Sequence, residues 1–495
     1  MALYLGLEAS TQSLSAIVIE VEGDLRRIVF AHSLSFDRDL PDYETAGGAV
    51  GGRQPGEQLA SPIMWADALD RMMSMLACDA SVDIRRIRGI SGAAQPSCVY
   101  LNRRARDAWR ELAHDQPLAP QLAGTFAREL SRVSTGQPGQ DDIRAFHLGQ
   151  PGAYAASTRI HLASSFLASL LIAADAPVDP GDGWSTNLMD LNTSTWSTAT
   201  LEATAPGVIL KLPDIRPSFT IAGPLGRYWR DRYSFPPAQV VTWSGQIPSM
   251  QIGTGIVSEG HLAAVFGTSD TLMALSAAPR VAASQAFASP MGGVVNLLCF
   301  RNGALTRDWV RLAHRLDWDG FAAALDRTPP GNDGALMLPW LEAEITPRVD
   351  LAGLRRFAYD GRDASQDVRA VVEGQMMAMA NHAAAITDDL ETIVATGSTA
   401  ANDPVMQVMA DVFGVPVDRL YLDEVAGLGA ALRALHADRL ASGEPLAWQS
   451  VVKEFTEPRS IDRVSPRPEY GDCYRDLRRR YAEVERLHQG RAPIG

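Results

Sequence analysis

Three short turns in this chain carry the residue types that can grip phosphate. The first is Glu8-Ala9-Ser10-Thr11-Gln12-Ser13, with three hydroxyls in one turn. Hydroxyl and backbone N–H donors that converge in a tight turn can cradle phosphate oxygens. Glu8 adds a carboxylate that could hold Mg2+ through its waters. The plainer alternative is a Ser/Thr-rich hairpin with a solvated glutamate, since short motifs are weak evidence. The second turn is Gly267-Thr268-Ser269, and the third runs from Gly397 through Ser398 to Asn402. Each alone reads as an ordinary strand-to-helix turn. Taken jointly, three small-residue turns after buried strands, split between two halves of the chain, suit a nucleotide held in a cleft between two α/β domains. Cys98 lacks a histidine closer in sequence than His114, so it reads as a small buried residue and not as a nucleophile.

The elements that must position these turns can be read from periodicity. Residues 2–7 and 14–21 are predicted strands joined by the first turn as a β-hairpin. Residues 61–77 show helical apolar spacing, and Ile87 to Gly92 reads as a short buried strand. Residues 103–152 are the least regular. A helix is expected from about 157 to 173, followed by a Pro/Gly/Asp loop at 176–183. A second unit is expected to begin near Val240, whose strand ends at Ser244-Gly245. His261 to Val265 is a strand, 366–390 a long helix, and Thr392 to Thr396 a buried strand. Helices follow at Met406 to Phe413, Gly427 to His436 and 474–488. Alternation of strands and helices in both halves argues for α/β layers.

Composition excludes several other chemistries. The 495 residues suggest two to four domains at about 150 residues each. The net charge of −13, without a basic block, disfavours nucleic-acid binding. The chain has two lysines, Lys211 and Lys453, and neither follows a glycine, so no P-loop is present. The four cysteines form no CxxC pair and read as reduced thiols, consistent with a cytoplasmic protein. No signal peptide is expected at the start of the chain. The apolar stretch Ile160 to Ala174 contains His161, Ser164, Ser165 and Ser169, so it reads as a buried helix and not a membrane span.

At this point the chain resembles the FGGY carbohydrate kinases, and within them the xylulose kinases. The strings that carry the resemblance include Leu5-Gly6-Leu7-Glu8-Ala9-Ser10-Thr11-Gln12-Ser13, Ser35-Phe36-Asp37-Arg38-Asp39-Leu40-Pro41 and Ile90-Ser91-Gly92-Ala93. Further along they include Gly267-Thr268-Ser269-Asp270-Thr271, Glu344-Ile345-Thr346-Pro347 and Ala395-Thr396-Gly397. The resemblance implies two ribonuclease-H-like α/β domains, as in actin and hexokinase, with a central cleft. It places an acceptor-side domain at 1–243 and a nucleotide-binding domain at 244–495, ending in a helix. It implies ATP and Mg2+, a small-molecule acceptor, no nucleic acid and no membrane, and it admits a homodimer. Ser10, Thr11 and Gln12 then occupy a first phosphate turn, Gly267, Thr268 and Ser269 a second, and Gly397, Ser398 and Asn402 the nucleotide loop.

The resemblance also marks departures. The family's opening Asp is Glu8, the candidate for a water-mediated metal contact. Its Gly-Asp-Asn-Pro appears as Gly245-Gln246-Ile247-Pro248, so Gln246 stands where the family's catalytic Asp is expected. An amide has no titratable carboxylate, and loss of a general base typically costs roughly 10²–10⁴-fold. Gln95-Pro96-Ser97-Cys98 replaces a histidine-bearing segment, leaving Gln95 and Ser97 as candidate acceptor ligands. A Trp-Met-Asp-Ser-Ser-Thr segment expected between about Leu118 and Gly152 has no counterpart. Three readings follow. One is an ATP-dependent kinase of a ketose, polyol or similar small molecule, weak or altered, with ordinary xylulose-kinase activity in doubt. The second is a nucleotide-binding pseudokinase whose domain closure is the signal. The third is an ATP-using enzyme with a new, non-sugar acceptor.

Overall fold

The structure is a computed structural model that describes residues 2–23, 25–52, 57–133, 139–280, 285–457 and 462–489. Its described residues pack as two compact units. The first comprises Met1–Gly253, Phe287–Gly292 and Glu424–Phe455; the second comprises Thr254–Ala286, Gly293–Asp423 and Thr456–Gly495.

The first unit is organised by β1 (Ala2–Ala9), β2 (Ser13–Glu22), β3 (Leu25–Ser35), β4 (Ile87–Ala94), β5 (Ile221–Pro224), β6 (Gln239–Val241) and β7 (Ser244–Gly245). The sheet order is β5-β6-β4-β1-β2-β3, with β7 also on β4. β1 is antiparallel to β2 and parallel to β4, and β6 and β7 are both parallel to β4. All eight residues of β1 are buried, as a strand covered on both faces requires. One cover is the helix Pro62–Cys78, capped by Ser61, with Met64, Trp65, Leu69, Met72 and Met73 in the core. Another is the helix Val425–Ala441, which packs on β1 and β4. Gly6 permits that approach, because a Cβ there would stand 2.0 Å from Gly427 O. The period of two along β1 puts Glu8 on the same face as Gly6, under the start of that helix.

The second unit repeats the theme. It is centred on β8 (His261–Phe266), β9 (Asp270–Ser276), β10 (Val294–Phe300), β11 (Thr392–Gly397) and β12 (Val417–Leu420), in the order β10-β9-β8-β11-β12. Again a hairpin, β8–β9, has a parallel strand, β11, on its other side. The helix Ala364–Ala383 supplies much of the core, including Val368, Val371, Val372, Met376 and Met379.

Several sequence expectations need correction. The first hairpin's strands are longer than 2–7 and 14–21, so Glu8 and Ala9 belong to β1 and not to the turn. The expected helix at 157–173 is two elements: Ser157–Leu162 is a strand paired antiparallel with Cys98–Asn102, and only Ala163–Ile172 is helical. Cross-strand pairing overrides the apolar spacing there. The strand near Val240 belongs to the first unit's sheet, which it joins through β4. Within 118–152, residues 134–138 lie outside the described residues. Among the described residues no helix is long and apolar enough to cross a membrane.

Candidate functional site

In the first unit, the candidate residues converge where β1, β4 and β7 end. Glu8 of β1 and Ser244 of β7 both lie opposite Ala93 of the intervening β4. The C-terminal ends of parallel strands are where α/β folds commonly place ligands. Gln246, the residue after β7, donates from Nε2 to Glu8 Oε1 at 2.7 Å. Gly427 N, in the first turn of the helix Val425–Ala441, donates to Glu8 Oε2 at 3.2 Å. Glu8 is thus no solvated glutamate; it is 8% exposed. Burial pushes its carboxyl upward in pKa, and the donors from Gln246 and Gly427 pull only part of the way back.

The first turn is partly self-satisfied. Ser10 Oγ accepts from Ser13 N at 3.0 Å and Gln12 N at 3.3 Å, so its hydroxyl shapes the turn. Thr11 Oγ1 donates to Gln95 Oε1 at 2.9 Å, and Gln12 is exposed. Gln95 N donates to Ala9 O at 2.9 Å, which ties its segment to the end of β1. Gln95 Nε2 and Ser97 Oγ are buried without a protein partner, as is Ser244 Oγ. Buried polar atoms usually find partners, so orphans of this kind point to water or a ligand. Cys98 is buried and its thiol is pushed up by burial, which agrees with a structural role.

Sequence reasoning missed Asp182. It is 1% exposed, accepts from Ser164 Oγ, and packs beside Gly245, where a Cβ would stand 3.4 Å from its Oδ1. Burial pushes its carboxyl up to about 7, against the hydrogen bond from Ser164 and with help from the charge of Asp179. Nothing but its place in the Pro/Gly/Asp loop at 176–183 signalled it.

In the second unit, the pairing of Phe266 with Gly397 sets the other two turns side by side. Gly397 has φ +90°, and a Cβ there would stand 2.1 Å from Phe266 O, so only glycine fits. Beside the third turn lies a pocket of about 450 Å3, lined by Arg307, Trp318, Phe321, Ser398, Thr399 and Asn402, among others. Gly267, Thr268 and Ser269 are not among its lining residues. Asn402 is the N-cap of the helix Asp403–Phe413, its Oδ1 accepting from Val405 N at 3.1 Å. Trp318 is 47% exposed on this pocket; the sequence had offered it only as one of ten tryptophans. Beneath the turns, Arg307 makes a bidentate pair with Asp270 (2.7 and 3.0 Å) and also donates to Gln375 Oε1 and Thr399 Oγ1.

With both carboxylate oxygens engaged, Glu8 would meet a magnesium ion through the ion's waters, as expected, and not as a direct ligand. Both of its oxygens face N–H donors, the surroundings of a bare anion and not of a metal ligand. Among the described residues no group of three His, Cys, Asp or Glu side chains could hold a metal ion.

Residues 262–437 match the profile of the C-terminal domain of the FGGY family of carbohydrate kinases. The chain is similar to xylulose kinase of Rattus norvegicus, 32% identical over 537 residues, covering 99% of this chain and 98% of the relative. It is similar also to xylulose kinase 2 of Arabidopsis thaliana, 30% identical over 490 residues, covering 88% and 87% respectively. Among solved structures, xylulose kinase from Rhodospirillum rubrum superposes with a TM-score of 0.78 at 19% identity, covering 98% of this chain and 99% of the other.

Proposed function

The chain belongs to the FGGY family of carbohydrate kinases, with its two ribonuclease-H-like units, and on that premise we propose that it transfers the γ-phosphoryl group of ATP to a hydroxyl of a small polyhydroxylated acceptor, a ketose or polyol of xylulose-like size. The observation that carries this reading is the polar corner of the first unit. There Gln95 Nε2 and Ser97 Oγ, just past the end of β4, and Ser244 Oγ on β7 are buried without partners, and Glu8 on the adjoining β1 is bonded by no lysine or arginine side chain. A ligand with several hydroxyls supplies both acceptors and donors to such groups, where an apolar ligand would leave them unpaired.

On the nucleotide side, the pocket beside Ser398 and Asn402 offers Trp318 and Phe321 as apolar walls for a base. Gly267, Thr268 and Ser269 present backbone N–H groups and hydroxyls suited to phosphate, and Ser10, Thr11 and Gln12 form the corresponding turn of the first unit. Phosphoryl transfer asks mainly for positioning and charge stabilisation, which such turns supply without a P-loop lysine. Magnesium would enter with the nucleotide phosphates and supply charge stabilisation to them.

The test is turnover. Purified protein with Mg-ATP is offered D-xylulose and a panel of ketoses and polyols, and both ADP release and the phosphorylated acceptor are measured. Acceptor-dependent product supports the reading. Tight ATP binding with no product on any acceptor would favour the pseudokinase reading, for which the observation is the untitratable amide of Gln246 in the polar corner.

A further inference from the structure

We propose that the second unit carries a binding site for a small phosphate ester, in a cavity separate from the nucleotide pocket. The cavity measures about 690 Å3 and is lined by the end of the helix Asp403–Phe413 and by one side of the helix Gly471–His488. It shares no lining residue with the pocket beside Ser398 and Asn402, which borders the start of the helix Asp403–Phe413. Four arginines, Arg467, Arg475, Arg478 and Arg479, line it against a single carboxylate, Asp411. That is a cationic wall in a chain of net charge −13. Arg478 and Arg479 follow Arg475 by three and four residues, which puts all three on one side of their helix. Asp472 and Asp476 of the same helix are not among the lining residues.

The one carboxylate is already committed. Asp411 is buried and accepts from Arg467 Nη2 at 2.6 Å, Arg467 Nε at 3.0 Å, Arg467 N at 2.8 Å and Gln407 Nε2 at 2.9 Å. It neutralises Arg467 and leaves the other three guanidinium groups. Arg475 and Arg479 reach only Asp472 and Asp476, in exposed pairs three residues apart. Such pairs are worth little and give way to a better-placed anion. Arg478 is half-buried, and among the described residues no Asp or Glu pairs with it. Its Nε donates to Asn381 Oδ1 at 3.0 Å, and its two Nη atoms donate to Ala380 O at 2.9 Å and Val412 O at 3.4 Å. These neutral oxygens tie together the ends of the helices Ala364–Ala383 and Asp403–Phe413, but they do not offset the charge. Burial lowers the proton affinity of this guanidinium, and no anion restores it.

The chemistry of the wall selects the ligand. A guanidinium has five N–H donors, and the three bonds of Arg478 leave one free on each Nη. Forked N–H groups match phosphate oxygens in pairs, and a doubly charged group answers several arginines at once where a single carboxylate cannot. The volume falls in the range of about 300–1,000 Å3 usual for small-molecule pockets. It exceeds what one phosphate ion fills, so the ester's organic body has room beside Phe413 and Tyr474.

The experiment is calorimetry on the full chain, with ribose 5-phosphate and inorganic phosphate as probes. The proteins are the parent, the double variant Arg475→Ala with Arg479→Ala, and Arg478→Gln. Ribose 5-phosphate should bind the parent more tightly than inorganic phosphate does, and its affinity should fall as salt is raised. The double variant alters only exposed side chains, so its melting temperature should match the parent's while affinity for ribose 5-phosphate falls at least about tenfold. Arg478→Gln should weaken binding further; it also loosens two helix ends, so the exposed pair decides the matter. Affinity for ribose 5-phosphate in the double variant within about twofold of the parent would overturn the site. So would absence of binding to the parent at millimolar ribose 5-phosphate. Inorganic phosphate bound as tightly as the ester would overturn the ester as occupant in favour of the free ion. None of these readouts uses turnover, so the kinase reading stands or falls separately.

Discussion

At the hairpin corner of the second unit, Asp270 is clasped by both guanidinium nitrogens of Arg307, which is itself held by Gln375 and Thr399. At the hairpin corner of the first, Glu8 is held only by two neutral N–H groups. Both carboxylates are buried at the turn end of their hairpin, Glu8 near the end of its first strand and Asp270 at the start of its second. The second corner has its charge neutralised and its hydrogen bonds saturated, which suits a rigid floor under two turns. The first keeps a carboxylate of raised proton affinity next to unpaired polar atoms, which suits chemistry. The same architecture thus yields a scaffold in one unit and a reactive corner in the other, according to whether an arginine reaches the carboxylate.

The sharpest way to break this contrast is to remove the arginine. Arg307→Ala leaves Asp270 buried and unpaired, and should cost about 3–5 kcal/mol in urea or thermal unfolding. Glu8→Gln should show no comparable loss, because it removes a charge whose burial is only partly compensated; a similar loss in both would erase the distinction.

Next in size is a pH effect at Asp182. Its folded-state carboxyl, pushed up to about 7, binds protons more tightly than the ordinary value of about 3.9 in the unfolded chain. The folded state therefore holds more protons, and stability falls as pH rises from about 4 through about 7. Asp182→Asn does not titrate, so its stability relative to the parent should improve by on the order of 2 kcal/mol between pH 5 and pH 8. Unfolding curves at the two pH values check the sign.

A smaller effect separates the pocket wall from the cap. Trp318→Ala should weaken ATP binding about tenfold, read by calorimetry, through loss of an aromatic wall worth about 1.4 kcal/mol. Smallest of all, Asn402→Ala should cost about 1 kcal/mol of stability through the lost helix cap, and Asn402→Ser should restore most of it. If Asn402→Ser keeps stability yet loses nucleotide binding, the residue contacts the nucleotide as well as capping the helix.

Much of this was legible in local pattern. The first hairpin and the buried strand before Gly397 follow from apolar runs, and the long helix from periodicity, although it spans Ala364–Ala383 and not 366–390. The second hairpin does not, because Gly267-Thr268-Ser269 reads as a strand-to-helix turn whereas the strand Asp270–Ser276 follows it. The three turns stood out because Ser, Thr, Gly and Asn cluster there. The strand Ser157–Leu162 reads as helix from sequence because its apolar spacing matches either form, and its partner strand Cys98–Asn102 lies some 60 residues earlier. The return of Glu424–Phe455 to the first unit was not signalled, since the fit of Gly6 under Gly427 is a contact across more than 400 residues. Asp182 carries no mark beyond its place in the Pro/Gly/Asp loop at 176–183, and Trp318 none beyond being one of ten tryptophans.

The sequence by itself determined which groups are available: hydroxyl turns in place of a P-loop lysine, a glutamate at position 8 and an amide at position 246. These follow from residue type and from the period of two that orders a strand. Only the tertiary structure decided what those groups can do. Whether a carboxylate is solvated, clasped by arginine or kept basic depends on partners brought from distant parts of the chain, and on the water that their packing removes.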